Sequence, residues 1–163
     1  MNIRNCCTVV FVGILLIPNV ARSTDEVTDV LKKRHSYLPK EKLDAAIATF
    51  SEAIKLKPKD AEAYWIRGSV YYQKDDLDKA IADYTEAIRL RPNDYAVYSN
   101  RGSLYHKKRD LDKAVADYTE VIRLNPRDAS VYHARGTIYQ EKGEKAKAEE
   151  DFAQAKRLGY TGK

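Results

Sequence analysis

Apolar and small residues recur along this chain with a period of 34 residues, and within each period they have the spacing of helices. Residues 61–94 match residues 95–128 without a gap, with 21 identities in 34 positions. Counted as places from Ala61 and Tyr95, the matching apolar or small residues include places 4, 8 and 11, and then places 20, 24 and 27. Steps of three and four put side chains on one face of an α-helix. Each period therefore predicts a unit of two amphipathic helices, here called helix A and helix B.

Small residues and prolines indicate how the two helices of a unit pack. Place 8 is glycine and place 20 is alanine in both units, so helix A can approach helix B closely. Pro92 and Pro126 at place 32 end helix B, because a proline ring cannot continue the helical hydrogen-bond ladder. A repeat of this period predicts an array of stacked units rather than one globular core.

Two more diverged copies flank this pair. The copy at 129–162 keeps the glycine at place 8, Gly136, and the aromatic residue at place 24, Phe152. Upstream, a unit numbered from Val27 keeps the pattern of helix B but has Val30 and Arg34 at places 4 and 8. We therefore expect four units, with a degenerate helix A in the first.

An aromatic residue at place 4, Gly at 8, Tyr at 11, Ala at 20, Tyr or Phe at 24 and Pro at 32 together resemble the tetratricopeptide repeat. The resemblance implies an all-α, right-handed superhelical solenoid of stacked antiparallel helix pairs, with a concave groove lined by the A helices. We expect seven to eight helices and no strands, with residues 40–57 as the seventh and residues 25–37 as the eighth and least protected. The expected organisation is a leader at 1–23, a degenerate unit at 24–60, and units at 61–94, 95–128 and 129–162.

The first 23 residues differ in composition from the repeats. A short basic start precedes an apolar run of 12 residues, Cys6 to Ile17, and Ala21-Arg22-Ser23 fits a small-x-small cleavage site. This pattern predicts a secretory signal peptide, since a membrane anchor would need about 20 apolar residues. We expect an exported protein, periplasmic or secreted, whose mature chain begins near Thr24; an uncleaved anchor is the alternative. Cys6 and Cys7 lie at the front of the run and not at a lipoprotein-type cleavage point, so the mature chain would contain no cysteine.

The charge pattern argues against a nucleic-acid partner. The chain has a formal net charge of +5, and loss of Arg4 and Arg22 with the leader gives 5 − 2 = +3. Acidic and basic residues are interleaved along the helices, which is typical of a solvated helical surface and not of a basic stripe.

A repeated pair of opposite charges predicts contacts between helices. Place 7 is arginine in the last three units and place 23 is aspartate, whereas the first unit has Lys33 and Thr49 there. We expect structural Arg–Asp pairs, within a unit or from one unit to the next, so that Arg101 pairs with Asp117 or Asp83. The alternative is that the arginines read an acidic ligand. The residues concerned are Arg67, Arg101, Arg135, Asp83, Asp117 and Asp151.

The last unit carries charges where the others are apolar. Places 17, 21 and 28 are apolar in the first three units and become Lys145, Glu149 and Lys156 in the fourth. A terminal repeat needs a polar outer face to stay soluble. The final helix is therefore predicted to cap the array, and we expect a monomer.

The resemblance places the A-helix positions 2, 5, 9, 12 and 13 in the groove. These positions vary between units while the packing positions repeat, which favours binding of a protein or peptide segment. Trp65 is predicted either to anchor a peptide or to pack against helix A of the first unit. The candidate groove residues are Trp65, Ser69, Tyr72, Ser99, Asn100, Ser103, His106, His133, Thr137 and Gln140.

No catalytic motif, cofactor motif or metal-ligand set is evident in the sequence. The Lys/Asn/Asn/Lys/Arg clamp with which one subclass of the family binds chaperone carboxylates is absent, since only Asn100 matches it. The sequence thus predicts a non-catalytic interaction module that binds in its groove. The alternative is an accessory subunit that docks by its convex face or N-terminal helix to an envelope or secretion assembly.

Overall fold

The structure, a computed structural model, describes residues 39–162, so the expected leader at 1–23 and the expected helix at 25–37 lie outside it. Within 39–162 the chain forms seven α-helices and no strands, which confirms the all-α solenoid. The helices are α1 (Lys40–Leu56), α2 (Ala61–Gln73), α3 (Leu77–Leu90), α4 (Tyr95–Lys107), α5 (Leu111–Leu124), α6 (Ala129–Glu141) and α7 (Lys145–Arg157).

Aspartates begin most of these helices. The carboxylates of Asp60, Asp94 and Asp128 accept hydrogen bonds from backbone N–H groups in the first turns of α2, α4 and α6. Asp76 and Asp110 do the same for α3 and α5. A side-chain cap of this kind stabilises the start of a helix, because it satisfies an N–H that has no partner inside the helix. Aspartates at places 34 and 16 therefore mark where α2 to α6 start, whereas Glu144 before α7 makes no such bond.

The buried core runs from one unit into the next. Ala80, Tyr84 and Ala87 of α3 pack in one cluster with Val97 and Leu104 of α4, which belongs to the following unit. Ala114, Tyr118 and Val121 of α5 similarly pack with Val131 and Ile138 of α6. Each unit thus covers the apolar face of its predecessor, and the stability of the array depends on these shared clusters.

The last helix presents a polar outer face. Lys145, Glu149 and Lys156 of α7 are exposed. Their counterparts in α5, Leu111, Val115 and Ile122, pack against the shared cluster instead. Within the described part of the chain, the last unit therefore has charged side chains where the earlier units have an apolar face.

Candidate binding groove

Each arginine at place 7 pairs with the aspartate at place 23 of its own unit. Arg101 Nε and Nη2 donate to Asp117 Oδ2 and Oδ1 at 2.9 and 2.7 Å. Arg67 makes the same two-point contact with Asp83, and Arg135 makes it with Asp151. The aspartates are buried, at 4–6 % exposure. The sequence left two partners open for Arg101, and in the structure its partner is Asp117.

Each of these arginines also reaches the preceding unit, a contact that the sequence analysis missed. The third nitrogen of each arginine, Nη1, donates to a hydroxyl at 3.0 Å. Arg67 donates to Ser51 Oγ, Arg101 to Thr85 Oγ1 and Arg135 to Thr119 Oγ1. These hydroxyls all stand at place 25, where the last unit has Ala153. The sequence signal for this contact was that the last of the four units has no hydroxyl at place 25.

The electrostatics agree with a structural role for these arginines. Hydrogen bonding to Asp83 raises the pKa of Arg67. Burial acts most strongly on Arg101 and lowers its pKa, but the hydrogen bond to Asp117 and the charge of that carboxylate, with smaller effects of Tyr105 and Tyr98, together raise it. The rings of Tyr98 and Tyr105 flank the Arg101 guanidinium, with centroids 5.7 Å away. In the described structure the arginine donors are thus engaged within the protein.

A second row of ion pairs joins consecutive units. Lysine at place 14 contacts aspartate at place 18 of the unit before it: Lys74 with Asp44, Lys108 with Asp78, and Lys142 with Asp112. The aspartates are highly exposed, so each pair adds little to stability. Place 18 becomes Ala146 in the last unit. The row of Lys–Asp pairs therefore ends at the same unit as the row of hydroxyls at place 25.

Trp65 is largely a packing residue. It contacts the cluster of Phe50, Ala63 and Ile66 as well as the cluster that joins α3 to α4. Its indole N–H is buried and has no hydrogen-bond partner. Helix A of the first unit, against which Trp65 is predicted to pack, lies outside the described residues, but Trp65→Ala would remove these core contacts as well as any ligand contact.

Several predicted groove residues bond to neighbouring groups. Ser69 Oγ donates to the carbonyl of Trp65 and shares a hydrogen bond with the Tyr84 hydroxyl at 3.1 Å. Ser103 and Thr137 donate to carbonyls of their own helices. Gln140 is exposed.

The groove edge at the ends of the A helices carries two networks that join units. Lys107 Nζ donates to Asp75 at 2.7 Å and lies over the ring of Tyr72, 5.5 Å from its centroid. Tyr72 is 40 % exposed. Asp75 has a positive φ of 62°, a conformation that L-residues adopt at a cost. This junction thus places an accessible aromatic ring beside a paired cation.

The next junction has the opposite polarity. His106 Nε2 contacts Glu141 Oε1 at 2.8 Å, and Arg109 also pairs with Glu141. The hydrogen bond from His106 lowers the pKa of Glu141. Arg109, like Asp75, has a positive φ. The turn residue is therefore acidic at one junction and basic at the next, and its partner on the following A helix has the opposite charge.

His106 and His133 do not share a site. The His133 ring stacks on the ring of Tyr160, with centroids 4.3 Å apart and an interplanar angle of 25°. Phe152 lies on another side, at 5.3 Å. Residues 39–162 contain no group of three His, Cys, Asp or Glu side chains that could hold a metal ion.

Ser99 and Asn100 line an open depression near the start of α4. Its other lining residues are Tyr95, Ala96, Val121 and Asp128. Neither the Ser99 hydroxyl nor the Asn100 amide is hydrogen-bonded within the described residues. These are polar groups of the groove whose bonding capacity remains available.

Family models agree with the repeat. A TPR repeat model matches residues 35–75 and 68–108, and tetratricopeptide repeat models match residues 95–128 and 117–150. Together these matches cover residues 35–150. The chain belongs to the tetratricopeptide repeat family. Proteins of this family bind proteins or peptides and are generally non-catalytic interaction modules.

Solved structures of tetratricopeptide repeat proteins resemble this one. A crystal structure of MamA has a TM-score of 0.72 and 26% identity over 86% of this chain and 82% of that one. MamA from Desulfovibrio magneticus RS-1 has a TM-score of 0.67 and 20% identity, over 75% of this chain and 69% of that one.

A tetratricopeptide repeat protein from Parabacteroides merdae ATCC 43184 has a TM-score of 0.75 and 20% identity, covering 88% of this chain and 55% of that one. The likenesses at 20% identity concern the fold alone. No curated protein matches the sequence. None of α1–α7 combines the length and the apolar composition needed to cross a lipid bilayer.

Proposed function

We propose that this tetratricopeptide repeat protein is an exported, non-catalytic scaffold that holds a peptide or protein segment in its concave groove. The observation that carries the proposal is the contrast between the two kinds of position in the repeat. The positions that pack are the same from unit to unit, and the Arg–Asp pairs repeat with them. The groove positions differ between units and include accessible side chains such as Tyr72 and Asn100.

The accessible groove edge offers a mixed surface. Tyr72 provides an aromatic face, Lys107 and Glu141 provide charges, and His106 provides an imidazole. These polar groups already pair with each other or with turn residues. Such a surface suits a segment held by a few anchors and by polar contacts along its length. Exposed ion pairs cost little to rearrange, so a partner can exchange them for its own.

The export half of the proposal rests on the composition of residues 1–23. Mass spectrometry of protein from the native host tests it. A mature chain that begins near Thr24 supports export, whereas an intact Met1 on a membrane-bound chain favours an uncleaved anchor.

Affinity capture with the chain from Thr24 as bait tests the groove. The groove variant is Tyr72→Ala with His106→Ala, because neither side chain belongs to the buried clusters. The matched control is Arg89→Glu with Arg123→Glu, which changes exposed residues of the B helices α3 and α5. Melting temperatures are compared first, so that loss of fold is not mistaken for loss of binding.

The groove variant should lose its captured partner, and the control should keep it. The reverse result, with capture lost only in the B-helix variant, would support the accessory subunit that docks by its convex face.

A further inference from the structure

Place 5 of helix A has different surroundings in the units at 61–94, 95–128 and 129–162. In the unit at 95–128 it lines an open depression of about 110 Å³. Its lining residues Ser99 and Asn100 stand at places 5 and 6, and Val121 stands at place 27.

In the last unit an aromatic ring of the chain itself covers place 5. The Tyr160 ring stacks on His133, the counterpart of Ser99. The chain turns back through Gly159, whose φ of +91° favours glycine. The Tyr160 N–H donates to the carbonyl of Ala155 at 2.9 Å and so caps the end of α7. The C-terminal segment therefore places a tyrosine ring against place 5.

In the unit at 61–94 the aromatic group comes from place 5 itself. Trp65 packs against the clusters that contain Ala87, the counterpart of Val121, and Ile66, the counterpart of Asn100. Two of the three units thus have an aromatic ring at this position. The third has a serine, and its space is open.

We infer that the depression at Ser99 is a subsite for an aromatic side chain, tyrosine or phenylalanine, of the segment bound in the groove. This rests on the proposed function. A closed apolar cavity of about 150 Å³ accommodates benzene. The depression is smaller, but it is open on one side, so a ring can enter and leave its outer edge in solvent.

The surroundings offer a phenol both apolar and polar contact. The half-exposed Tyr95 ring supplies apolar contact, whereas the side chain of Val121 is fully buried. Asn100 offers an unbonded amide to a phenol hydroxyl or to the peptide backbone of the partner. The Asp128 carboxylate accepts from the N–H and the hydroxyl of Ser130 through Oδ1, which leaves Oδ2 as a further acceptor for a hydroxyl.

The test is an NMR titration of the whole chain from Thr24 with N-acetyltyrosinamide, compared with N-acetylalaninamide. The tyrosine compound should shift the backbone amide signals of Tyr95, Ser99 and Asn100 at least threefold more than the alanine compound does. Ser99→Trp, which gives place 5 the tryptophan that the unit at 61–94 has there, should remove these shifts. Ser99→Ala keeps the space open and should retain them.

Equal shifts with the two compounds would overturn the subsite, and this comparison needs no variant. Shifts that persist unchanged in a folded Ser99→Trp variant would overturn it too. A third outcome would also contradict the inference. If the NMR signal of Ser99 changes on dilution of the protein alone, and no longer does so in Tyr160→Ala, the occupant is a second copy of the chain.

Capture of a partner separates this inference from the proposed function. If the Tyr72→Ala, His106→Ala variant loses the partner but Ser99→Trp keeps it, the groove binds and the subsite is wrong. If Ser99→Trp also loses the partner, the result supports both binding in the groove and the aromatic subsite.

Discussion

Arg101 and Thr85 belong to different repeat units, yet Arg101 Nη1 donates to Thr85 Oγ1 at 3.0 Å while its other nitrogens hold Asp117. The Thr85 hydroxyl in turn donates to the carbonyl of Ile81 at 2.7 Å. One guanidinium therefore connects α4 with α5 of its own unit and with α3 of the unit before. Its planar, forked set of donors allows this, and lysine could not replace it.

Replacement of Arg101 by alanine should destabilise the protein by about 3–5 kcal/mol, because the buried Asp117 carboxylate would lose its partner. Arg123→Ala is the matched control, since Arg123 pairs with Glu120 on an exposed face. That pair is exposed to solvent, so its loss should change the stability only slightly. Urea unfolding of both variants measures the difference. Equal costs would mean that the Arg101 pair does not behave as a buried one.

Glycine at place 8 is required to different degrees in different units. A Cβ atom at Gly68 would lie 2.9 Å from the ring of Tyr84, whereas at Gly102 its nearest contact is Asp117 Cβ at 3.2 Å. Alanine gains about 1 kcal/mol over glycine in a helix, and overpacking costs about 1–3 kcal/mol. Gly68→Ala should therefore be destabilising and Gly102→Ala close to neutral. Chemical unfolding measures both, and a larger cost at Gly102 would contradict this reading of the packing.

The repeat made most of the fold predictable from sequence. Packing positions recur in each unit, so that apolar spacing predicts the helices. The joint presence of arginine at place 7 and aspartate at place 23 predicts Arg–Asp pairs, but it does not decide whether Arg101 pairs with Asp117 or with Asp83. The contact with Thr85 also left a trace in the sequence, since the last unit has Ala153 at the same place and so lacks the hydroxyl. The contact was not predicted because a threonine on an exposed helix face has no distinctive pattern of its own.

The groove was less predictable, because position in the repeat does not fix what covers a side chain. Trp65 stands at a groove place but is large enough to reach two buried clusters. His133 is covered by Tyr160, a residue that follows the last helix and has no counterpart in the repeat pattern. Such contacts depend on the size and the path of single residues and not on periodicity.

Tyr84 should make the stability of the protein sensitive to alkaline pH. Burial raises the pKa of the Tyr84 hydroxyl to about 12, although its hydrogen bond with Ser69 acts in the opposite direction. The unfolded chain releases this proton near pH 10. The stability due to the protonated form is therefore complete below pH 10 and is lost as the pH rises from 10 to about 12.

Between pH 9 and pH 11 the free energy of unfolding of Tyr84→Phe should fall by about 1 kcal/mol less than that of the wild type. Tyr95→Phe, which changes a half-exposed tyrosine, is the control and should follow the wild type. Parallel pH profiles for the wild type and Tyr84→Phe would show that Tyr84 ionises as readily in the folded chain as in the unfolded one.

The charged outer face of α7 should keep the array from extending. Lys145→Leu, Glu149→Ile and Lys156→Ile together would restore the apolar residues that the earlier units carry at these places. Each uncovered side chain of this kind gains about 1.5–3 kcal/mol when it is buried, so the variant should self-associate. Light scattering after size-exclusion chromatography measures the mass, and glutamine at the same three positions is the control that should keep the wild-type mass.

The associated species should be heterogeneous and not a single defined dimer. In the earlier units Thr85 and Asp78 receive Arg101 and Lys108 of the next unit, which fixes how that unit sits. The last unit has Ala153 and Ala146 at these places, so the new apolar face would attract a partner without orienting it. Adding Ala146→Asp and Ala153→Thr should narrow the distribution of masses. A triple variant that keeps the wild-type mass would show that the charges of α7 are not what ends the stack.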